Sequence, residues 1–116
     1  MFEVIFYKKE DGSVPVEEFL DSLDVKMRNK ATDSLAILEE FGNKLREPYS
    51  KPIGDGIFEL RIKFGSDISR IFYFFFVGSK IVLTNGYVKK TRKAPKQEIL
   101  TAKEYKTDYE RRFGHE

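Results

Sequence analysis

Between Ile57 and Val88 the chain is so nearly continuous in apolar residues, and its breaks are so short, that this stretch limits the fold more than any other. Ile57–Phe64 sets Phe58, Leu60, Ile62 and Phe64 on one side and Glu59, Arg61 and Lys63 on the other, the period-two pattern of a strand with one buried face. Ile68–Val77 is almost wholly apolar apart from Ser69 and Arg70, as expected of a central strand covered on both sides. Gly78-Ser79 suits a two-residue hairpin turn, and Lys80–Val88 follows as a third strand. Links this short join antiparallel neighbours, so the segment is expected to form a three-stranded antiparallel meander.

The flanks supply one more strand and three helices. Phe2–Tyr7 alternates and reads as a strand, and Glu10-Asp11-Gly12-Ser13 as a turn in which Ser13 could cap a helix begun at Pro15. Val16, Phe19, Leu20 and Leu23 then form one apolar helical stripe. Ser22 or Asp24 restarts the chain into a second helix, buried through Met27, Ala31, Leu35, Leu38 and Phe41 and ended by Gly42-Asn43, so that the pair makes a helical hairpin. Lys44–Gly56, with Pro48, Pro52, Gly54 and Gly56, reads as a loop. Pro95–Arg112 is the last helix, with Ile99, Ala102, Tyr105 and Tyr109 on its apolar side. The order β-α-α-β-β-β-α describes one α+β domain over residues 1–116, its helices expected on one face of a mainly antiparallel sheet.

Composition removes several classes of function. With 0 Cys there is no disulfide framework, thiolate metal site or thiol nucleophile. The 1 His, His115, excludes a histidine-rich metal site. The longest apolar run, Ile71–Val77, is far short of the roughly 18 residues of a membrane span. Met1–Phe6 lacks the marks of a signal peptide, so a cytoplasmic location is expected, with no membrane partner. Residues 1–56 carry 8 Lys/Arg against 12 Asp/Glu, and residues 57–116 carry 13 against 7, so an acidic half is joined to a basic one. Such asymmetry suits a domain whose basic face meets a polyanion, although both signs could simply solvate the surface.

Strand register narrows the basic face to particular residues. A Gly78-Ser79 turn pairs Val77 with Lys80 and carries Arg70 opposite Tyr87, which puts Leu83, Asn85, Tyr87 and Lys89 on Arg70's face. An even-length loop between Phe64 and Ser69 would bring Arg61 there too; an odd one would turn it toward the helices, and the alternation favours the even case. One sheet surface is then expected to display Glu59, Arg61, Lys63, Arg70, Asn85, Tyr87 and Lys89. It is bordered by Lys89-Lys90-Thr91-Arg92-Lys93-Ala94-Pro95-Lys96, which has no negative charge. A run of this kind is often only a solvated connector. Arg70, however, lies in an apolar strand and must be paired or face a polar cleft. Glu59 offers the pairing; a cationic cleft for a phosphate is the favoured expectation.

Taken in order, Ile57-Phe58-Glu59-Leu60-Arg61, Ser69-Arg70-Ile71-Phe72-Tyr73, and Tyr87-Val88-Lys89-Lys90-Thr91-Arg92-Lys93-Ala94-Pro95 with Glu98-Ile99 and Ala102 resemble the pattern of phage-derived HigB toxins. These form a branch of the RelE/ParE superfamily of type II toxin-antitoxin systems. The resemblance extends over nearly the whole chain and implies a RelE-like fold. It also implies a ribosome-dependent mRNA endoribonuclease, neutralised by a HigA-type helix-turn-helix antitoxin in a 2:2 complex that meets operator DNA only through the antitoxin. Residue by residue, it places Arg61 and Arg70 on the scissile phosphate and Lys89 and Lys90 as the lysine pair ending the last strand. Lys93 falls on a second basic position, and Tyr87 where an aromatic side chain could stack on a base. Lys63, Arg92 and Lys96 complete the expected RNA-binding set, and no metal or other cofactor is implied. Some relatives use a C-terminal His or Tyr for proton transfer; here only His115 is available, and Tyr105 and Tyr109 are wanted for packing.

The chemistry this set could run is attack of a ribose 2′-hydroxyl on the adjacent phosphate. Arginines would hold the phosphate, and a lysine crowded by Lys89, Lys90, Arg92 and Lys93 would move protons at a lowered pKa. Three rivals stand beside it: a ParE-like toxin that poisons DNA gyrase through protein contacts, a non-catalytic nucleic-acid-binding module, and a protein-interaction domain. The last would use the acidic hairpin face of Glu17, Glu18, Asp21, Asp33, Glu39 and Glu40.

Overall fold

A computed structural model describes residues 1–89 and 95–114. The elements run β1 (Glu3–Phe6), α1 (Pro15–Ser22), α2 (Val25–Phe41), a short 3-10 turn at Gly42–Lys44, β2 (Ser50–Gly54), β3 (Ile57–Phe64), β4 (Asp67–Phe76), β5 (Lys80–Val88) and α3 (Lys96–Phe113). The five strands form one sheet in the order β1-β5-β4-β3-β2. β3, β4 and β5 make the expected antiparallel meander. β1 lies parallel to β5, and β2 adds an antiparallel edge beside β3. This is an α+β fold compatible with the RelE-like arrangement.

The stretch expected to be a loop, Lys44–Gly56, therefore contains a strand. Pro52 hid it, because proline has no N–H for a ladder. At the edge of a sheet one side of a strand needs no partner, and Pro52 is tolerated opposite Phe58.

The helices pack on both faces of the sheet, not on one. Alternate strand residues sort the packing. Leu60, Ile62, Ile71, Tyr73, Ile81 and Leu83 pack with Val16, Leu23, Met27, Ala31 and Leu38 of the α1–α2 hairpin. Phe74 and Val82 pack with Tyr7 and Tyr109, and Ile57, Phe72 and Tyr87 with Ala102, which places α3 on the opposite face. An apolar β4 is the residue-level cause: Ile71, Phe72, Tyr73 and Phe74 are all 0–1% exposed because both of their faces are covered.

Local signals account for most element ends. Asp24 caps α2, accepting the Met27 N–H at 2.9 Å. Ser13 does not cap α1; its hydroxyl and N–H both go to Asp11 Oδ1, at 2.8 and 2.9 Å, and α1 begins at Pro15 without a side-chain cap. The buried stripe of α2 is Met27, Ala31, Ser34 and Leu38, while Phe41 stays exposed. Gly42 ends α2 at φ 51°, and a Cβ there would meet the Phe2 ring at 2.0 Å, so the position is closed to larger residues twice over.

The register of the β4–β5 hairpin corrects one expectation and keeps another. The turn has three residues, Val77–Ser79, and Phe76 rather than Val77 faces Lys80. A bulge then places two residues of β5, Thr84 and Asn85, opposite Phe72. The one-residue error in the turn is cancelled there, and Arg70 lies opposite Tyr87 as the sequence indicated. Leu83, on the turn side of the bulge, falls on the other face from Arg70 and packs in the α1–α2 core. On the β3–β4 side the loop is even: Phe64 pairs with Asp67, and Arg61 lies directly opposite Arg70.

Candidate functional site

Arg61, Arg70 and Tyr87 form a row across β3, β4 and β5. Two arginines side by side repel. Glu59, two residues before Arg61 and on the same face, relieves that repulsion: Arg70 donates to its Oε1, and the Tyr87 hydroxyl donates to its Oε2 at 2.6 Å. All three members are buried, Glu59 at 1%, Tyr87 at 6% and Arg70 at 7% exposure. Burial first, and the Glu59 hydrogen bond second, push the Tyr87 hydroxyl pKa well above the ordinary tyrosine value. It is therefore a fixed donor to the carboxylate, with no part as an acid near neutrality.

The ion pair to Glu59, the lesser expectation for Arg70, is thus formed, and Arg70 is not simply a free cation in an open cleft. The cleft nevertheless exists beside it. A hollow of about 220 Å³ is walled by Glu47, Pro48, Ser50, Lys51, Glu59, Arg61 and Arg70. The Nε atoms of both arginines are buried with no hydrogen-bond partner among the described residues. Lys51 lies across from Glu59 on β2, and Ser50 hydrogen-bonds the Tyr73 hydroxyl, which anchors the start of that strand.

Lys89 lies on the β5 side of Arg70. Its N–H bonds to the Ile68 carbonyl at 2.9 Å, carrying the β4–β5 pairing one residue past β5 and leaving Lys89 on Tyr87's face. Its pKa is lowered, by burial first and then by the positive charge of Arg70, with Lys51 and Arg61 adding to the effect. The lowering expected from its neighbours in sequence thus has a source in neighbours across the sheet.

The other candidates divide. Lys63 is exposed and borders an adjoining hollow with Arg61. Lys96 is exposed at the first position of α3. Tyr87 does not offer a free stacking face, because its ring packs on Phe72 with centroids 5.5 Å apart. Asn85 is likewise covered: its amide donates to the Glu98 carbonyl at 3.1 Å and carboxylate at 3.2 Å, tying the first turn of α3 to β5. The expected surface is therefore partly roofed by α3, with Arg61, Lys63 and Lys89 nearest solvent. Lys90, Arg92, Lys93 and His115 lie outside the described residues. Lys51, Glu47 and Tyr49 were not anticipated, because the segment that carries them was read as a loop. Among the described residues there is no cluster of His, Asp or Glu suited to a metal ion, and no helix long and apolar enough to cross a membrane.

Fold and cleft together define a small α+β domain with an arginine–lysine site at one end of its sheet, a site fit for an anion. The chain belongs to the phage-derived protein Gp49-like family (DUF891), which matches residues 18–107. That family is part of the RelE/HigB-type toxin group. No curated protein matches the sequence.

Proposed function

We propose that this chain is a HigB-type toxin that cleaves mRNA on the ribosome and is restrained by a HigA-type antitoxin. The observation that carries the reading is that Arg61 and Arg70 line one hollow, both with a buried Nε that has no partner among the described residues, while Lys89 ends β5 within electrostatic reach of both. The planar, permanently charged guanidinium of Arg61 suits a phosphate. Arg70, held by Glu59, presents a fixed charge and needs no reorganisation when the phosphorane forms. Lys89 is the group to move a proton, since its lowered pKa brings it closer to the working pH. In the step envisaged, the 2′-oxygen forms a bond to phosphorus as its proton leaves. The bond from phosphorus to the 5′-oxygen then breaks, and that oxygen takes up a proton, giving a cyclic phosphate and a free 5′-hydroxyl. Lys90, Arg92, Lys93 and Lys96 would add positive charge for binding RNA phosphates.

The test is controlled expression of the wild type and of Arg61→Ala and Lys89→Ala, with messenger 5′ ends mapped in the arrested cells. New ends at in-frame positions, lost in both variants, are expected. Growth arrest with intact messages and no dependence on either residue would overturn the nuclease reading and assign toxicity to a protein target such as gyrase. Arg70→Ala is the poorer probe, because it strands Glu59 in the sheet and confounds activity with folding.

A further inference from the structure

The cationic hollow does not stop at Arg61. A second hollow of about 370 Å³ adjoins it, lined by Lys30, Ile37, Tyr49 and Lys63, with Arg61 and Pro48 bordering both. Tyr49 lines the second hollow and follows Pro48 in the chain. Its carbonyl accepts the Arg61 N–H at 2.8 Å, so the two residues are neighbours across the β2–β3 edge. Tyr49 is 54% exposed, whereas Tyr7, Tyr73, Tyr87 and Tyr109 are all buried. Among the described residues its ring meets no other aromatic ring and its hydroxyl has no hydrogen bond.

An open aromatic face flanked by cations on both sides is the combination single-stranded nucleic acid needs: lysine and arginine for successive phosphates, a ring for the base between them. We propose that Tyr49 is the stacking platform for a nucleotide next to the phosphate held at Arg61. The strand then leaves the cleft over Pro48 and Tyr49, with Lys63 and Lys30 beside its backbone. This inference rests on the RNA-cleaving reading and deepens it, since it gives the base-stacking role to Tyr49 in place of the buried Tyr87. It also states a direction of travel, from β5 across β3 and out over the β2 edge toward α2.

The experiment is a fluorescence titration of the purified chain with a short single-stranded oligoribonucleotide whose riboses are 2′-O-methylated, which blocks attack and leaves binding alone. Tyr49→Ala, Tyr49→Phe and Arg61→Ala are compared with wild type. Loss of one base–aromatic stack is expected to weaken binding by about 5- to 150-fold in Tyr49→Ala. Tyr49→Phe should bind like wild type, and an oligonucleotide with one abasic position at the contact should abolish the difference. Substitution at an exposed position leaves the core intact, so lost binding would not reflect unfolding. Weakened binding in Arg61→Ala with none in Tyr49→Ala would overturn the stacking role while leaving the cleft as the RNA site. No binding by the wild type, or binding indifferent to Arg61, would overturn the RNA reading of the cleft and this inference with it.

Discussion

Glu59 holds a charge in the middle of a packed sheet face because Arg70 and Tyr87 both reach it. Removing one partner of such a pair costs far more than the pair contributes, since the remaining charge stays buried without compensation. Glu59→Ala is therefore expected to destabilise the fold by about 3–5 kcal/mol. Tyr87→Phe, which deletes one donor to a charged acceptor, should cost about 1.5–3 kcal/mol. Denaturant unfolding of the two variants measures both, and equal losses would contradict the assignment of Arg70 as the main partner. At this scale the site was half legible. Arg70 announces itself, being a charge within an apolar run, and Glu59 and Arg61 follow from the alternation of β3. Whether Arg70 would be paired or free could not be read from the chain, because the answer depends on diagonal neighbours across three strands.

At the scale of elements, what could be read followed from repetition. The meander, the helical hairpin and the last helix all repeat an apolar period over several residues, and all are present. The β2 edge has only Ser50-Lys51-Pro52-Ile53 to speak for it, too short for a period and broken by a proline, so Lys51 and Tyr49 went unseen. The placement of α3 was missed for a different reason. Its stripe of Ile99, Ala102, Tyr105 and Tyr109 shows that the helix is covered on one side, but says nothing about which face of the sheet covers it. Gly86 gives a direct test of α1 on β5. A Cβ there would lie 2.4 Å from the Phe19 ring, with no room for both. Gly86→Ala is expected to cost about 1–3 kcal/mol in thermal or denaturant unfolding, and Phe19→Leu in the same chain should recover part of it.

Across the whole molecule, the first strand and the last helix are tied by one polar knot. Tyr7 donates to Asp108 at 2.6 Å. Arg112 donates to the same carboxylate oxygen at 2.7 Å and to the Lys8 carbonyl at 2.5 Å. The Tyr7 hydroxyl chiefly, then Arg112 and Arg111, hold Asp108 at about 2. Burial first, and Asp108 next, push Tyr7 up to about 12. The signs are opposite and frame the stable range. The Asp108 contribution is whole above the ordinary carboxyl value of 3.8 and fades as pH falls through about 2. The Tyr7 contribution is whole below its ordinary value of 10.0 and fades as pH rises through about 12. Melting temperature across pH should therefore fall at both extremes, and Tyr7→Phe should flatten the alkaline side and, because it removes the chief cause of the Asp108 shift, weaken the acid side as well. An unchanged alkaline limb in that variant would show that the knot does not hold α3 to β1.

The extra residue in β5 has a bearing on how such a site could arise or be lost. Facing alternates along a strand, so parity decides which side chains meet, and the bulge at Thr84 and Asn85 is where the parity of β5 changes. Shortening the strand there by one residue would leave the apolar turn end undisturbed and rotate Tyr87 and Lys89 to the far side of the sheet, away from Glu59 and Arg70. The chemistry of this chain is thus encoded partly by a count and not only by residue types, and a relative could keep every cation and still lack the site.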